Sequence, residues 1–423
     1  MDSDSGVIKN MNILIVSQYF WPENFRINDL ALGLKEKGNK VTVLTGFPNY
    51  PEGSFFSGYS LLVGKENYNG IIIKRVPIFA RGKAGRFRLT VNYLSFVVSA
   101  GILAPFYCRE KYDAVFVFAV SPITQALPAI LLKKIKRVPL FIWILDLWPE
   151  TLTAVKAVRS PRVVKFVERL VRFIYRQCDL VLVASKGFIP SISSKGVNPE
   201  KIAFFPNWAE DIYQPIDPAK AVLPLALKEI PFGFRLMFAG NMGIAQDFET
   251  VLASFEMLKE YEDIHLLILG SGRMQHWVEN QVKGRNLTNK VHLLGAYPAE
   301  RMPDFFSIAD AMLVTLSKDS IFSNTIPGKL QSYLACGKPV IGALDGEGAK
   351  LINASRAGIV CSPGEPKALS ESILKMYRLN PNERGQMGLN ARAYSEKEFN
   401  RDTLINNLEV LIMGKAKNEE SAG

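Results

Sequence analysis

Residues 12–47 constrain the fold more than any other stretch. Asn12–Phe20 (NILIVSQYF) is a continuous apolar run of strand length. Arg26–Gly38 then sets Ile27, Leu30 and Leu34 at helical spacing, and Lys40–Phe47 (KVTVLTGF) is a second apolar run. A strand, a helix of about a dozen residues and another strand make a right-handed crossover, the building block of a doubly wound parallel sheet. The alternation continues through Ile71–Phe79, Asp113–Val120, Leu140–Leu147, Leu180–Lys186 and Ile202–Trp208. It starts afresh in the second half at Arg235–Gly243, Ile264–Gly272, Val291–Pro298, Ala309–Ser317 and Gly358–Gly364. At 423 residues the chain is long for one core. Two α/β domains of doubly wound parallel sheet are therefore expected, over 11–208 and 209–395, joined within the proline-rich segment AEDIYQPIDPAKAVLPL.

Charge separates the halves. Residues 1–210 carry 28 Lys and Arg against 15 Asp and Glu, a balance of +13, whereas residues 211–423 carry 23 against 25, a balance of −2. The first half therefore faces something anionic that the second does not: a membrane surface, a nucleic acid or a phosphorylated substrate. The 4 cysteines are far apart and read as buried hydrophobes of a reducing compartment, and the 3 histidines show no ligand spacing, so no metal site is expected. MDSDSGVIKN, ahead of Met11, is polar and acidic and reads as a disordered leader over 1–10, not a signal peptide.

In the second half, Pro327-Gly328-Lys329 opens a short apolar helix, LQSYLA, which runs into Cys336-Gly337-Lys338-Pro339 and the strand PVIGALD. Glycine at a helix start lets backbone approach a ligand, the first-turn N–H groups lack helical partners, and Lys329 adds a full positive charge. The simplest anion for such a mouth is a diphosphate; the alternative is an ordinary turn between a helix and the next strand. Gly337 falls where a C-cap is expected, and Pro339 stops the helix.

The stretch PGKLQSYLACGKPVIGALDGEG resembles the donor-binding segment of retaining group 1 (family 4) GT-B glycosyltransferases. The resemblance runs from Met11 to about Met413. SQYFWPENFRINDLALGLKEKGNKVTVLTGFPNYPEG is similar to the branch of O-antigen and capsule enzymes related to the N-acetylfucosamine transferases. It implies two Rossmann-like domains facing across a cleft, with a last helix, 396–413, crossing back to the first domain ahead of a polar tail, 414–423. It also implies no cofactor or metal beyond the UDP-sugar donor, taken here as an N-acetylated hexosamine type. The diphosphate would lie against Gly240, Asn241, Gly243 and Gln246, the exit Gly270-Ser271-Gly272-Arg273, and Gly328, Lys329 and Leu330. Ala296 and Tyr297 are base-side candidates, and Asn324 and Thr325 donor-sugar candidates. Two departures stand out. Asn241 and Gln246 occupy a loop where relatives often carry arginine and lysine, which throws the charge onto Lys329. The family's two glutamates would fall at Asn324 and Ser332, and a serine holds a ribose hydroxyl more weakly than a carboxylate does.

In the first half, the apolar strand Leu140–Leu147 delivers Asp146 and Glu150 to the carboxyl edge of its sheet, where such folds place ligands. Asp146 is the candidate to orient acceptor or sugar, with a helix-capping acid as the alternative. Glu23, Asn24, Arg26 and Glu150 are acceptor-side or phosphate-side candidates, and Arg26 reads equally as a solvated helix residue. Arg81–Lys111 is an apolar helix with basic ends, Arg86 and Arg88 among them; it reads as buried or interfacial rather than spanning, and the basic ends suit an interface. Lys156–Gln177 is basic and amphipathic: Lys165, Arg169 and Arg172 line one side, and Val163, Phe166 and Ile174 belong to the other.

The expectation is a glycosyltransferase passing a sugar from a UDP-sugar to a polyprenyl-diphosphate-linked acceptor. It would sit peripherally on an anionic membrane surface, the cytoplasmic face of a bacterial inner membrane, without nucleic acid. The rivals are a UDP-sugar 2-epimerase, for which no histidine precedes His265, and a non-catalytic binder of anionic lipid or nucleic acid.

Overall fold

The computed structural model describes residues 10–59, 65–82, 85–154, 158, 160–223 and 232–420. Residues 1–9 of the leader and 421–423 of the tail fall outside this set, as does the side chain of Arg86. The chain forms two compact units. One holds the residues up to Ala184, then Phe188–Phe205 and the chain from Asp402 onward; the other holds Ser185–Gly187 and Pro206–Arg401.

The first unit runs β1 (Asn12–Val16), α1 (Arg26–Glu36), β2 (Lys40–Gly46), β3 (Lys65–Tyr68), β4 (Ile71–Val76), α2 (Arg86–Tyr107), β5 (Ala114–Ala119) and α3 (Ala126–Lys136). It continues with β6 (Leu140–Ile144), α4 (Glu150–Ala154), α5 (Pro161–Gln177), β7 (Leu180–Val183), α6 (Phe188–Ser194) and β8 (Ile202–Phe204). Its sheet has the order β3-β4-β2-β1-β5-β6-β7-β8, and every pairing is parallel except β3 with β4. β1, β5 and β6 are buried on both faces, which is why they read as unbroken apolar runs instead of alternating ones. The antiparallel edge is fixed by Arg75, 1% exposed, whose guanidinium meets both oxygens of Glu66 at 2.8 and 2.9 Å and donates to the carbonyls of Gly46 and Trp21.

The second unit runs β9 (Phe234–Ala239), α7 (Phe248–Met257), β10 (Ile264–Leu269), α8 (Gln275–Gly284), β11 (Val291–Gly295), α9 (Met302–Ser307) and β12 (Ala311–Thr315). It goes on through α10 (Ser320–Ser323), α11 (Gly328–Ala335), β13 (Val340–Ala343), α12 (Gly346–Ser355), β14 (Gly358–Cys361), α13 (Pro366–Arg378) and α14 (Pro381–Glu398). The sheet order β11-β10-β9-β12-β13-β14 is parallel throughout. In both sheets the connections reverse direction once, between β1 and β5 and between β9 and β12. Crevices at the carboxyl ends of such strands are where doubly wound folds hold ligands.

The last helix, α15 (Arg401–Glu420), belongs to the first unit. It buries Ile405, Leu408 and Ile412, and Glu409 accepts from the Asn39 amide. Two expected boundaries shift, the first being that the last helix, expected over 396–413, spans Arg401–Glu420. The helix of the basic segment starts at Pro161, because a proline at the first helical position needs no N–H partner, and the expected start at Lys156 lies outside the described residues. Its apolar side is not uniformly turned inward either: Val171 and Ile174 are buried, whereas Val163 and Phe166 are exposed.

Candidate active site

In the second unit the site is built where β9, β10 and β11 end. Gly240 follows β9 and Gly270 follows β10; both have left-handed φ, 135° and 134°. A Cβ on Gly270 would sit 1.9 Å from the Gly240 carbonyl oxygen, so only glycine lets the two loops touch. The Gly270 N–H donates to the Gly295 carbonyl at 2.7 Å, which stitches in the loop after β11. The turn that follows, Asn241-Met242-Gly243, is pinned by the Met242 N–H to the Ser271 carbonyl (2.8 Å). Among the described residues nothing takes the backbone N–H of Asn241 or Gly243. Asn241, Gly272 and Arg273 are exposed, so this rim of donors faces solvent.

Lys329 enters from α11. Its ammonium lies 3.6 Å from the centre of the Phe238 ring and donates to Gln246 Oε1 at 2.6 Å. A Cβ on Gly240 would come within 3.4 Å of the lysine Nζ, so the smallness of Gly240 also makes room for the cation. Burial pulls the Lys329 pKa down to about 7. The loop that carries Gln246 is held in turn by β12: Thr315 Oγ1 donates to the Gln246 carbonyl (2.5 Å) and the Ser317 N–H to that of Ala245 (2.8 Å). From α11, Tyr333 accepts the Ala239 N–H and donates to the Ala239 carbonyl, both at 2.9 Å, and so fixes the helix to the end of β9. Gln246 is thus a positioning residue for Lys329.

Gly328, exposed at the start of α11, would meet nothing within 4 Å if it carried a Cβ, while the Leu330 N–H is already taken by the Pro327 carbonyl and its side chain is core. Ser332 is 9% exposed. Thr325 donates its hydroxyl to the Ile321 carbonyl, and Asn324 ends α10 beside it. Ala296 is exposed, and Tyr297 packs on Phe305 with centroids 4.5 Å apart. Gly337 has φ 65° just past the helix end, as its expected capping position requires.

The first unit assembles a different kind of edge. Asp146, two residues beyond β6, accepts from the Ser121 N–H (3.2 Å) and hydroxyl (3.0 Å), and Trp148 Nε1 donates to the same hydroxyl. Burial raises the Asp146 carboxyl above its usual range. Glu23 is 2% exposed, and its carboxylate accepts the N–H groups of Asn49 and Tyr50 at 2.8 and 2.7 Å. It therefore clasps the loop after β2. Burial pushes its pKa up to about 7 against those two donors. Asn24 is exposed, and Arg26 is the first residue of α1. Glu150 is turned to its own unit as well, accepting from Ser191 and from the ammonium of Lys195. Although burial opposes it, those two donors hold its carboxyl below the usual range. Beside Glu23 lies an aromatic group that the linear sequence does not reveal: Tyr19 stacks on Phe25 at 4.8 Å, and the Arg81 guanidinium sits 4.9 Å over Tyr50. Arg88, Lys165 and Arg169 are exposed on α2 and α5, and Arg172 pairs with Glu168 at 2.8 Å. No group of three or more His, Cys, Asp or Glu side chains among the described residues is placed to hold a metal.

Comparison with known proteins bears on both units. Residues 24–208 match the family described as Glycosyl transferase 4-like domain, and residues 233–394 match Glycosyl transferases group 1. WbjE of Pseudomonas aeruginosa, named as a glycosyltransferase, is 25% identical over 259 residues, 57% of this chain and 61% of that protein. That alignment spans less than two thirds of the relative. WcaI of Escherichia coli (strain K12), assigned to colanic acid biosynthesis as a glycosyl transferase, is 23% identical over 338 residues, 77% of this chain and 82% of that one. The crystal structure of Anabaena HepE in complex with UDP shares the fold with TM-score 0.70 at 15% identity, over 96% of this chain and 100% of the other. Each half thus matches a glycosyltransferase family model and both parallel sheets are in place, so the chain is a glycosyltransferase of GT-B fold whose second half is of the group 1 type.

Proposed function

We propose that this protein transfers a sugar, an N-acetylated hexosamine, from a UDP-sugar to a polyprenyl-diphosphate-linked saccharide during synthesis of a bacterial surface polysaccharide such as O-antigen or capsule. The observation that carries the reading is the mouth that Gly240 and Gly270 open beside Lys329: the unpartnered N–H groups of Asn241 and Gly243 near a desolvated ammonium suit a diphosphate. When the bond from the anomeric carbon to the β-phosphate oxygen breaks, its electron pair stays on that oxygen. Donors fixed in advance then stabilise the transition state more than the ground state. A diphosphate arriving next to Lys329 favours its charged form, so full charge is present when it is needed.

In a retaining reaction without metal, the acceptor oxygen bonds to the face the nucleotide leaves, and its proton passes to the departing phosphate. Asp146, held by Ser121, orients the acceptor hydroxyl or the sugar. The naming of WbjE as a glycosyltransferase, the assignment of WcaI to colanic acid biosynthesis and the UDP bound to HepE support this reading. The basic balance of the first half supports peripheral attachment to the anionic cytoplasmic face of the inner membrane. The test is release of free UDP with UDP-N-acetylhexosamines, with and without a polyprenyl-diphosphate sugar. Acceptor-dependent release is expected. A new UDP-sugar formed without acceptor would mean an epimerase, and no turnover with any pair would leave a binding protein.

A further inference from the structure

Helix α2 shows two opposed faces with the same period. Asn92, Phe96, Ala100 and Ala104, four residues apart, are all fully buried against the unit's own sheet and α3. Offset by two residues, on the opposite side, Leu94, Val98, Ile102 and Phe106 are 53%, 58%, 60% and 60% exposed. α3 packs beside α2 and adds Leu131 and Ile135, 37% and 50% exposed. Neither helix contains an acidic residue, and exposed Arg88, Arg109, Lys111, Lys134 and Arg137 rim the patch. The nearby exposed acid, Glu110, is paired with Lys74 at 2.6 Å. The hydroxyls of Ser95 and Ser99 are turned back onto the helix carbonyls of Asn92 and Ser95, both at 2.7 Å, so they present no unmet polarity outward.

We infer that this face is a membrane seat: α2 lies in the plane of an anionic leaflet with Leu94, Val98, Ile102 and Phe106 inserted among the acyl chains. The helix is long and apolar enough to cross a bilayer, but its second face is committed to the sheet, so it lies along the surface. The basic rim selects the occupant. A second copy would bring like charge against like, whereas anionic headgroups complement it while the long basic side chains reach outward. The inference rests on the membrane placement proposed above and deepens it from surface attraction to insertion. Because Asn92 caps the inner face of α2 by donating to the Phe79 carbonyl and accepting from Gln18, the seat also sets the height of the Tyr19 and Arg81 cluster above the leaflet.

The full chain is tested by co-sedimentation with vesicles of phosphatidylcholine alone or mixed with phosphatidylglycerol, at low and high salt. Binding to the mixed vesicles is expected to survive about 1 M salt, where screening shortens electrostatic reach to roughly 3 Å. The double substitution Val98→Glu, Ile102→Glu is expected to lower the bound fraction about tenfold or more, with the UDP-induced thermal shift unchanged. A Val98→Trp variant guards against misfolding, and its fluorescence is expected to be quenched by lipids brominated on the acyl chains. Complete release by salt, an unquenched tryptophan, or a dimer that the double substitution turns into a monomer would overturn insertion. Failure to bind any vesicle would overturn the membrane placement too, while leaving UDP-dependent transfer standing.

Discussion

The carboxyl edges of the two sheets solve different problems with different residues. In the second unit the loops after β9, β10 and β11 are glycine turns in backbone contact, and the Lys329 cation beside them is held between a ring face and an amide. In the first unit the loops after β1, β2, β5 and β6 each carry a cis X-Pro bond, those after β1, β2 and β6 add bulky aromatic side chains, and the acids Glu23, Asp146 and Glu150 are engaged by N–H groups, hydroxyls or an ammonium. Bare backbone suits a ligand part common to many substrates, such as a diphosphate, whereas side-chain surfaces suit a part that differs from one enzyme to the next. Under the proposed function, the contrast fits phosphate grip at one edge and acceptor recognition at the other.

The strongest way to break that division is to remove the cation. Lys329→Ala is expected to lower kcat/KM by about 10²–10³ and to abolish the thermal shift given by UDP. Asp146→Asn should lower kcat while leaving that shift intact; equal loss of UDP binding in both variants would erase the distinction. Next in size is backbone closeness. Gly270→Ala forces a Cβ into the Gly240 carbonyl at a left-handed φ and is expected to cost roughly 1–3 kcal/mol of stability, read as a lower Tm. Gly328→Ala, with open space around it, should leave Tm unchanged and report on UDP affinity alone.

The smallest effect is the proton linkage. Lys329 is half protonated near pH 7 in the free protein, and a bound diphosphate raises that pKa. Below about pH 7 both states hold the proton and affinity is flat. Above it the free protein must take up a proton to bind, so UDP affinity should fall by up to about tenfold per pH unit until the bound-state pKa is passed. Calorimetry in buffers of different ionisation heat should show uptake approaching one proton near pH 8.

Strand positions were legible because burial on both faces leaves apolar runs: Ile264–Gly272 was expected and Ile264–Leu269 is found, and Arg26–Gly38 became Arg26–Glu36. The Pro-Gly-Lys helix start could also be read from local chemistry. What surrounds Lys329 could not be, because Gln246 and Phe238 lie 83 and 91 positions away and only strand order brings them together. Asp146 was legible by its place beyond a buried strand, but not Ser121, which positions it from the neighbouring one. Glu23 looked like a ligand-facing acid since nothing local shows that it ties down the segment after β2. Likewise the composition of α2 allowed a buried or an interfacial helix, and which side it turns outward depended on how it lies on the sheet.

The position of α15 has a practical consequence. Because Glu409 and its neighbours Ile405, Leu408 and Ile412 complete the unit that begins at β1, a fragment ending at the central linker lacks a wall of its own interior. Anyone wishing to study the amino-terminal half in isolation would have to graft the final helix back on, or rejoin the chain in permuted order.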